Sequence, residues 1–99
     1  MWVNITVGKI APENVHKAIA LLDNDAVRNA FRSVKGFVHD YVIESLDTPG
    51  NIQSVTIWQD AKLAQEFFAS QAYIQIVTGL GPLFTERPQR YSYEVRLDF

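Results

Sequence analysis

Along the first ten residues, Val3, Ile5 and Val7 alternate with Trp2, Asn4 and Thr6. That two-residue period predicts a strand over Met1 to Ile10. Ala11-Pro12 breaks it, and Pro12 suits the first turn of a helix, with Glu13 favourable near the positive end of the helix dipole. Val15, Ile19, Leu22, Ala26 and Ala30 then recur at helical spacing as one apolar stripe. Asp23-Asn24-Asp25 interrupts that stripe with side chains that compete for backbone hydrogen bonds. Phe31 and Val34 close the segment, and Gly36 stops it.

GFVHDYVIESL (36–46) is rich in aromatic and β-branched residues and reads as a second strand. DTPGN (47–51) is a turn, because Pro49 fixes φ and Gly50 permits a positive one. IQSVTIWQ (52–59) returns as a third strand, making a hairpin. Asp60 caps a helix from Ala61, with Leu63, Phe67, Ser70 and Ile74 on one face and Ala64, Phe68 and Gln71 on another. Ser70 caps a second short helix through Val77, and Gly79 to Pro82 ends helical structure. Leu83-Phe84 packs the loop that follows. Tyr91, Tyr93, Val95, Leu97 and Phe99 alternate with polar residues as a fourth strand. The order β-α-β-β-α-β predicts a single α+β domain over 1–99, a ferredoxin-like four-stranded antiparallel sheet with its helices on one face.

Both faces of that sheet carry large apolar residues. Val3, Ile5 and Val7 oppose Trp2; Phe37, Tyr41 and Ile43 oppose Val38, Val42 and Leu46; Val55 and Ile57 oppose Ile52 and Trp58. One set of helices covers one face only, so the pattern predicts a homodimer with two sheets packed face to face.

Composition narrows the function. A chain of 99 residues with 47% hydrophobic and 20% charged residues is an ordinary small globular domain. Its net charge is −2 with no basic stripe, which argues against nucleic acid as a partner. It has no cysteine, so disulfides, thiol nucleophiles and thiolate metal sites are excluded. No run approaches the ~20 apolar residues that span a bilayer, and MWVNITVGKI does not resemble a signal peptide. The expectation is a cytoplasmic protein with no membrane partner.

Gly36-Phe37 opening the second strand, the acidic-Pro-Gly hairpin turn, Trp58 ending the third strand and a helix running to Ala69-Ser70 resemble the antibiotic biosynthesis monooxygenase family. The short helix, Pro-bearing loop and Tyr-rich last strand extend the resemblance over nearly the whole chain. It implies a dimeric α+β barrel. It also implies a range of activities, from metal- and flavin-free oxidation of anthrone-like or quinol substrates to haem degradation and isomerisation. Phe67 stands where many members carry histidine, so a mechanism using a helix histidine is unavailable here. Phe67 and Val77 occupy the positions of the haem-degrading branch's tryptophan and histidine, and no axial ligand is left for haem.

Oxygenation without a cofactor needs a dry aromatic pocket and a group that takes a proton or favours the substrate anion. His39, the only strand histidine, and Asn4 are the candidate polar groups. Histidine is a side chain able to serve as a base, although a strand histidine is also commonly a hydrogen-bonded structural residue. Trp58, Phe67, Phe68, Tyr73, Tyr41, Arg90 and Tyr91 are candidates for holding an aromatic substrate, with Arg90 able to stabilise an oxyanion. Each also has a plain structural reading as core, interface or solvated surface. His16 lies far from His39 and no carboxylate cluster accompanies either, so no metal site is expected. Nor does any phosphate loop or nucleophile triad appear.

The combined expectation is an oxidoreductase without cofactor, acting on a small aromatic or quinol-like molecule between the sheet and the second helix. The other reading of the same fold is a non-catalytic dimeric ligand-binding or structural module. A cavity of roughly 300 Å³ or more would favour a ligand site.

Overall fold

In the computed structural model, which describes residues 1–99, β1 (Trp2–Lys9) lies inside a four-stranded sheet. Its neighbours are β3 (Asn51–Trp58) and β4 (Gln89–Glu94), and β2 (Phe37–Glu44) pairs with the far side of β3. All three pairings are antiparallel, in the order β2-β3-β1-β4. Between the strands run α1 (Val15–Leu22) and α2 (Asp25–Arg32), then α3 (Ala61–Phe68) and α4 (Gln71–Leu80). This is the ferredoxin-like α+β fold.

The breaks between helices fall where the polar residues predict. The Asn24 side chain accepts from the Val27 amide at 3.0 Å and starts α2. Asp60 caps α3 through the Leu63 amide at 2.9 Å, and Ser70 caps α4 through the Tyr73 amide at 3.3 Å. Two boundaries differ from the sequence pattern. α4 continues through Gly79 to Leu80, because Leu80 packs against buried Ile10, Ala18 and Ile52. That burial outweighs the ~1 kcal/mol propensity cost of a helical glycine. β4 stops at Glu94 rather than reaching Phe99. Its last backbone pairing is the Val95 amide to the Met1 carbonyl, after which β1 offers no partner and Leu97 and Phe99 are exposed.

The helices cover the face carrying Trp2, Asn4, Thr6 and Gly8 of β1 with Trp58, Thr56, Ser54 and Ile52 opposite them on β3. The core on this face has two parts. Phe31, Trp58, Ala64 and Phe67 form one cluster, joined by Phe37, Phe68 and Tyr73. Ile10, Ala18 and Ile52 form the other, joined by Leu83 and Phe84. The sheet floor between them is polar, made of Thr6, Ser54, Thr56 and Asp40.

The opposite face carries Val3, Ile5, Val7, Val55, Ile57, Tyr41, Ile43, Tyr91 and Tyr93, and the chain leaves it open. Tyr41, Ile43, Tyr91 and Tyr93 are each about half exposed. One strand departs from simple alternation. The pairing of β2 shifts between Phe37 and His39, with Val38 as the extra residue. Phe37 therefore faces the helices, packed edge-on to Trp58, and does not share a face with Tyr41 and Ile43.

Candidate functional site

The gap between the two core clusters is a cavity of about 370 Å³. Its walls come from Ile19 and Leu22 of α1, Val27 and Phe31 of α2, and Tyr73, Ile76, Val77 and Leu80 of α4. Thr6, Ser54 and Asp40 form its polar floor, with Arg28 and Arg32 on the α2 side. The volume falls within the usual range for small-molecule sites, and the mixture of apolar wall and few polar groups is typical of them.

Asp40 is the chemical centre of that cavity. The β2 bulge turns it toward the helices, opposite Thr56. Ser54 Oγ donates to Asp40 Oδ1 at 2.8 Å and Thr56 Oγ1 donates to the same oxygen at 2.9 Å. No protein donor reaches Oδ2. Burial pushes the carboxyl above the ordinary aspartate range, and the two hydroxyls and neighbouring His39 offset only part of that rise. A carboxylate so placed has its geometry fixed through one oxygen and keeps the other as a proton acceptor. Arg28 is occupied at the surface, bound to Asp23 at 2.6 Å and Asp25 at 3.1 Å, whereas Arg32 makes no ion pair.

The residues singled out from the sequence are distributed over three places. Tyr73 lines the cavity wall, and His39 lies at its rim, pairing with Ile57 on the open face and stacking on Tyr41 at 4.3 Å. Tyr41 and Tyr91 both belong to the open face. Trp58 and Phe67 lie beside the cavity in a filled aromatic cluster, their ring centroids 5.3 Å apart, with Trp58 fully buried. Phe68 packs on Trp58 and Tyr73 at the edge of that cluster. Asn4, Phe68 and Arg90 line a separate, smaller cavity between β1, β4 and α3. Val77, where the resemblance would require a histidine for haem, does face the main cavity. No three His, Cys, Asp or Glu side chains converge at metal-ligand spacing.

Asp40, Ser54 and Thr56 are the polar residues that periodicity alone does not single out. A strict two-residue period counted from Phe37 sends Asp40 to the other face. The available signal was Asp40 inside the run GFVHDYVI (36–43), facing a strand with hydroxyls two residues apart.

No protein-family model matches the chain, and no curated protein matches it in sequence. Solved structures do match. A provisionally named antibiotic biosynthesis monooxygenase from Bordetella bronchiseptica superposes with a TM-score of 0.84 at 20% identity, over 97% of each chain. The chain has the antibiotic biosynthesis monooxygenase fold. A provisionally named monooxygenase of this fold from Deinococcus radiodurans gives a TM-score of 0.82 at 20% identity, covering 100% of this chain and 96% of its own. SnoaB, a cofactor-independent oxygenase from Streptomyces nogalater solved in a mutant form, gives 0.73 at 18% identity, covering 98% and 94%. At such identities the likeness is one of fold, and the chemistry rests on the cavity and its carboxylate. No helix is long and apolar enough to cross a membrane.

Proposed function

We propose that this protein is a cofactor-independent monooxygenase acting on a small aromatic or quinol-like substrate in the 370 Å³ cavity. The observation that carries this reading is the half-buried carboxylate of Asp40, held by two hydroxyls on the floor of a largely apolar cavity. SnoaB, an oxygenase that needs no cofactor, has the same fold and supports the reading.

Asp40 Oδ2 accepts a proton from the acidic C–H or phenolic O–H of the substrate, and Ser54 and Thr56 hold the carboxyl in place through Oδ1. The substrate anion transfers one electron to O₂, and the resulting radical pair joins to form a C–O bond and a peroxide. Loss of water from the peroxide leaves a carbonyl at the attacked carbon, a CH₂ in an anthrone or a ring C–H in a dihydroquinone. Both electrons needed to reduce the second oxygen atom come from the substrate, one oxygen atom stays in the product and the other leaves as water. The apolar walls exclude bulk water and so favour electron transfer within the pair. Tyr73 on the wall can stack against an aromatic ring.

The working form is proposed to be a homodimer, because Tyr41, Ile43, Tyr91 and Tyr93 stand about half exposed together on the open face. Oxygen uptake tests the enzymatic reading: metal-free protein with anthrone or a dihydroquinone should consume O₂ well above the autoxidation rate. Saturable binding of the same compounds without turnover would instead support the ligand-binding module.

A further inference from the structure

The smaller cavity, of about 250 Å³, is formed by Trp2, Asn4, Gln65, Phe68, Arg90 and Ser92 among others. The proposed oxygenation step makes no use of it. Asn4 forms its floor and is only 4% exposed. Its Nδ2 donates to Ser92 Oγ at 2.9 Å, while Oδ1 is buried with no partner at all. Amides are rarely left half-satisfied in a protein interior, so an unpaired atom on a residue that lines a cavity calls for a partner there. If the amide were turned over, Ser92 could donate to Oδ1 and Nδ2 would be the unpaired atom. A hydroxyl both donates and accepts, so it completes Asn4 in either orientation.

Arg90 supplies the second recognition element. Its guanidinium lies 4.1 Å from the centroid of the Phe68 ring, fixed in place by stacking. It forms no ion pair. Glu94, which shares its face of β4, is bound to Arg96 at 3.3 Å instead. An unpaired, positioned guanidinium is a receptor for a planar anion such as carboxylate. Arg90 and Ser92 are two residues apart on one face of β4, roughly 7 Å along the strand. Carboxylate and hydroxyl recognition thus fall within the span of one small molecule, and Trp2 and Phe68 provide apolar wall for its remainder.

We propose that this cavity is a binding site for a small 2-hydroxycarboxylate with a short apolar tail, its carboxylate on Arg90 and its hydroxyl on Asn4. The probe is 2-hydroxyisovalerate, titrated into uniformly ¹⁵N-labelled full-length protein. The Asn4 side-chain amide and Arg90 Nε–H resonances should shift together and saturate. Isovalerate, lacking the hydroxyl, should bind at least tenfold more weakly. Asn4 is buried, so the variant is made at exposed Arg90: Arg90→Gln should melt as wild type does and lose the saturable shift. Asp40→Asn, in the other cavity, should bind the probe as wild type does, which separates this site from the oxygenase reading. No saturable shift, equal affinity for isovalerate, or binding retained in Arg90→Gln would each overturn the proposal.

Discussion

Phe37 and Asp40 project from the same face of β2 although they are three positions apart, because the bulge at Val38 resets the alternation. Phe37 thereby completes the aromatic cluster around Trp58, and Asp40 lines the cavity beneath the helices. A single inserted residue brings a core aromatic and a half-buried carboxylate to one side. Conservative replacement of the carboxylate tests what that placement does.

Asp40→Asn keeps an oxygen to accept from Ser54 and Thr56 but removes the proton acceptor. Turnover should fall by roughly 10²–10⁴-fold, the usual range for a general base. In the wild type, kcat/KM should rise with pH through a group titrating above the ordinary aspartate range. The variant should lose that acid limb. Steady-state oxygen uptake between pH 4 and 9 measures both, and an unchanged profile in the variant removes Asp40 from the chemistry.

Stability should move in the opposite direction to activity. Burial raises the folded-state pKa of Asp40, so folding favours its protonated form. Its favourable contribution is full below the unfolded pKa and is lost as pH rises through the folded pKa. At pH 7 the charged carboxylate is therefore less favourable than a neutral amide of the same shape. Asp40→Asn should raise the urea midpoint at pH 7, and the gain should disappear below pH 4. A loss of stability at pH 7 would contradict the direction of the shift.

Beside the cavity, Phe67 sits between Phe31 at 4.7 Å and Trp58 at 5.3 Å and is 3% exposed. Phe67→Ala should cost about 3–5 kcal/mol in chemical denaturation, as expected for an aromatic removed from a packed cluster. Val77 faces vacant space, so Val77→Phe should cost less than the ~1–3 kcal/mol typical of overpacking. The same substitution should raise KM at least tenfold by filling the chamber. Equal stability losses at the two positions would mean that the cavity does not persist in solution.

The fold was legible because its determinants are local. Asn24, Asp60 and Ser70 each cap the helix that follows, and alternation marks each strand. The site was less legible because it depends on non-local register. Trp58 and Phe67 look like pocket walls from their aromatic character, but the packing of Phe31, Phe37, Phe68 and Tyr73 around them closes the space. Asn4 and Arg90 reach one cavity and Asp40 another, since strand pairing, not sequence distance, decides which side chains meet.

Two glycines provide a contrast in backbone energetics. Gly50 has φ +88° in the β2–β3 turn, and a Cβ there would collide with the Ile10 carbonyl oxygen. The Gly50 carbonyl also accepts from the Ile10 amide at 2.9 Å, so the turn cannot move away freely. Gly50→Ala should destabilise by more than the ~1 kcal/mol that a positive φ alone entails. Gly79 lies in α4 with nothing near its would-be Cβ, and Gly79→Ala should stabilise by about 0.5–1 kcal/mol. Thermal melts of the pair check both signs together.

The open face makes the last prediction. Val55 lies at its middle, flanked by Ile5 on β1 and Tyr41 on β2. In an isolated chain this position is only half-buried, so a glutamate there can reach solvent and leave the fold intact. Between two packed sheets the same charge would be desolvated without a partner, at a cost of several kcal/mol. Light scattering at micromolar concentration should therefore give the wild type twice the 11.2 kDa of one chain. Val55→Glu should give the single-chain mass with unchanged far-ultraviolet circular dichroism. A monomeric wild type would refute dimerisation, and a dimeric variant would move the interface away from this face.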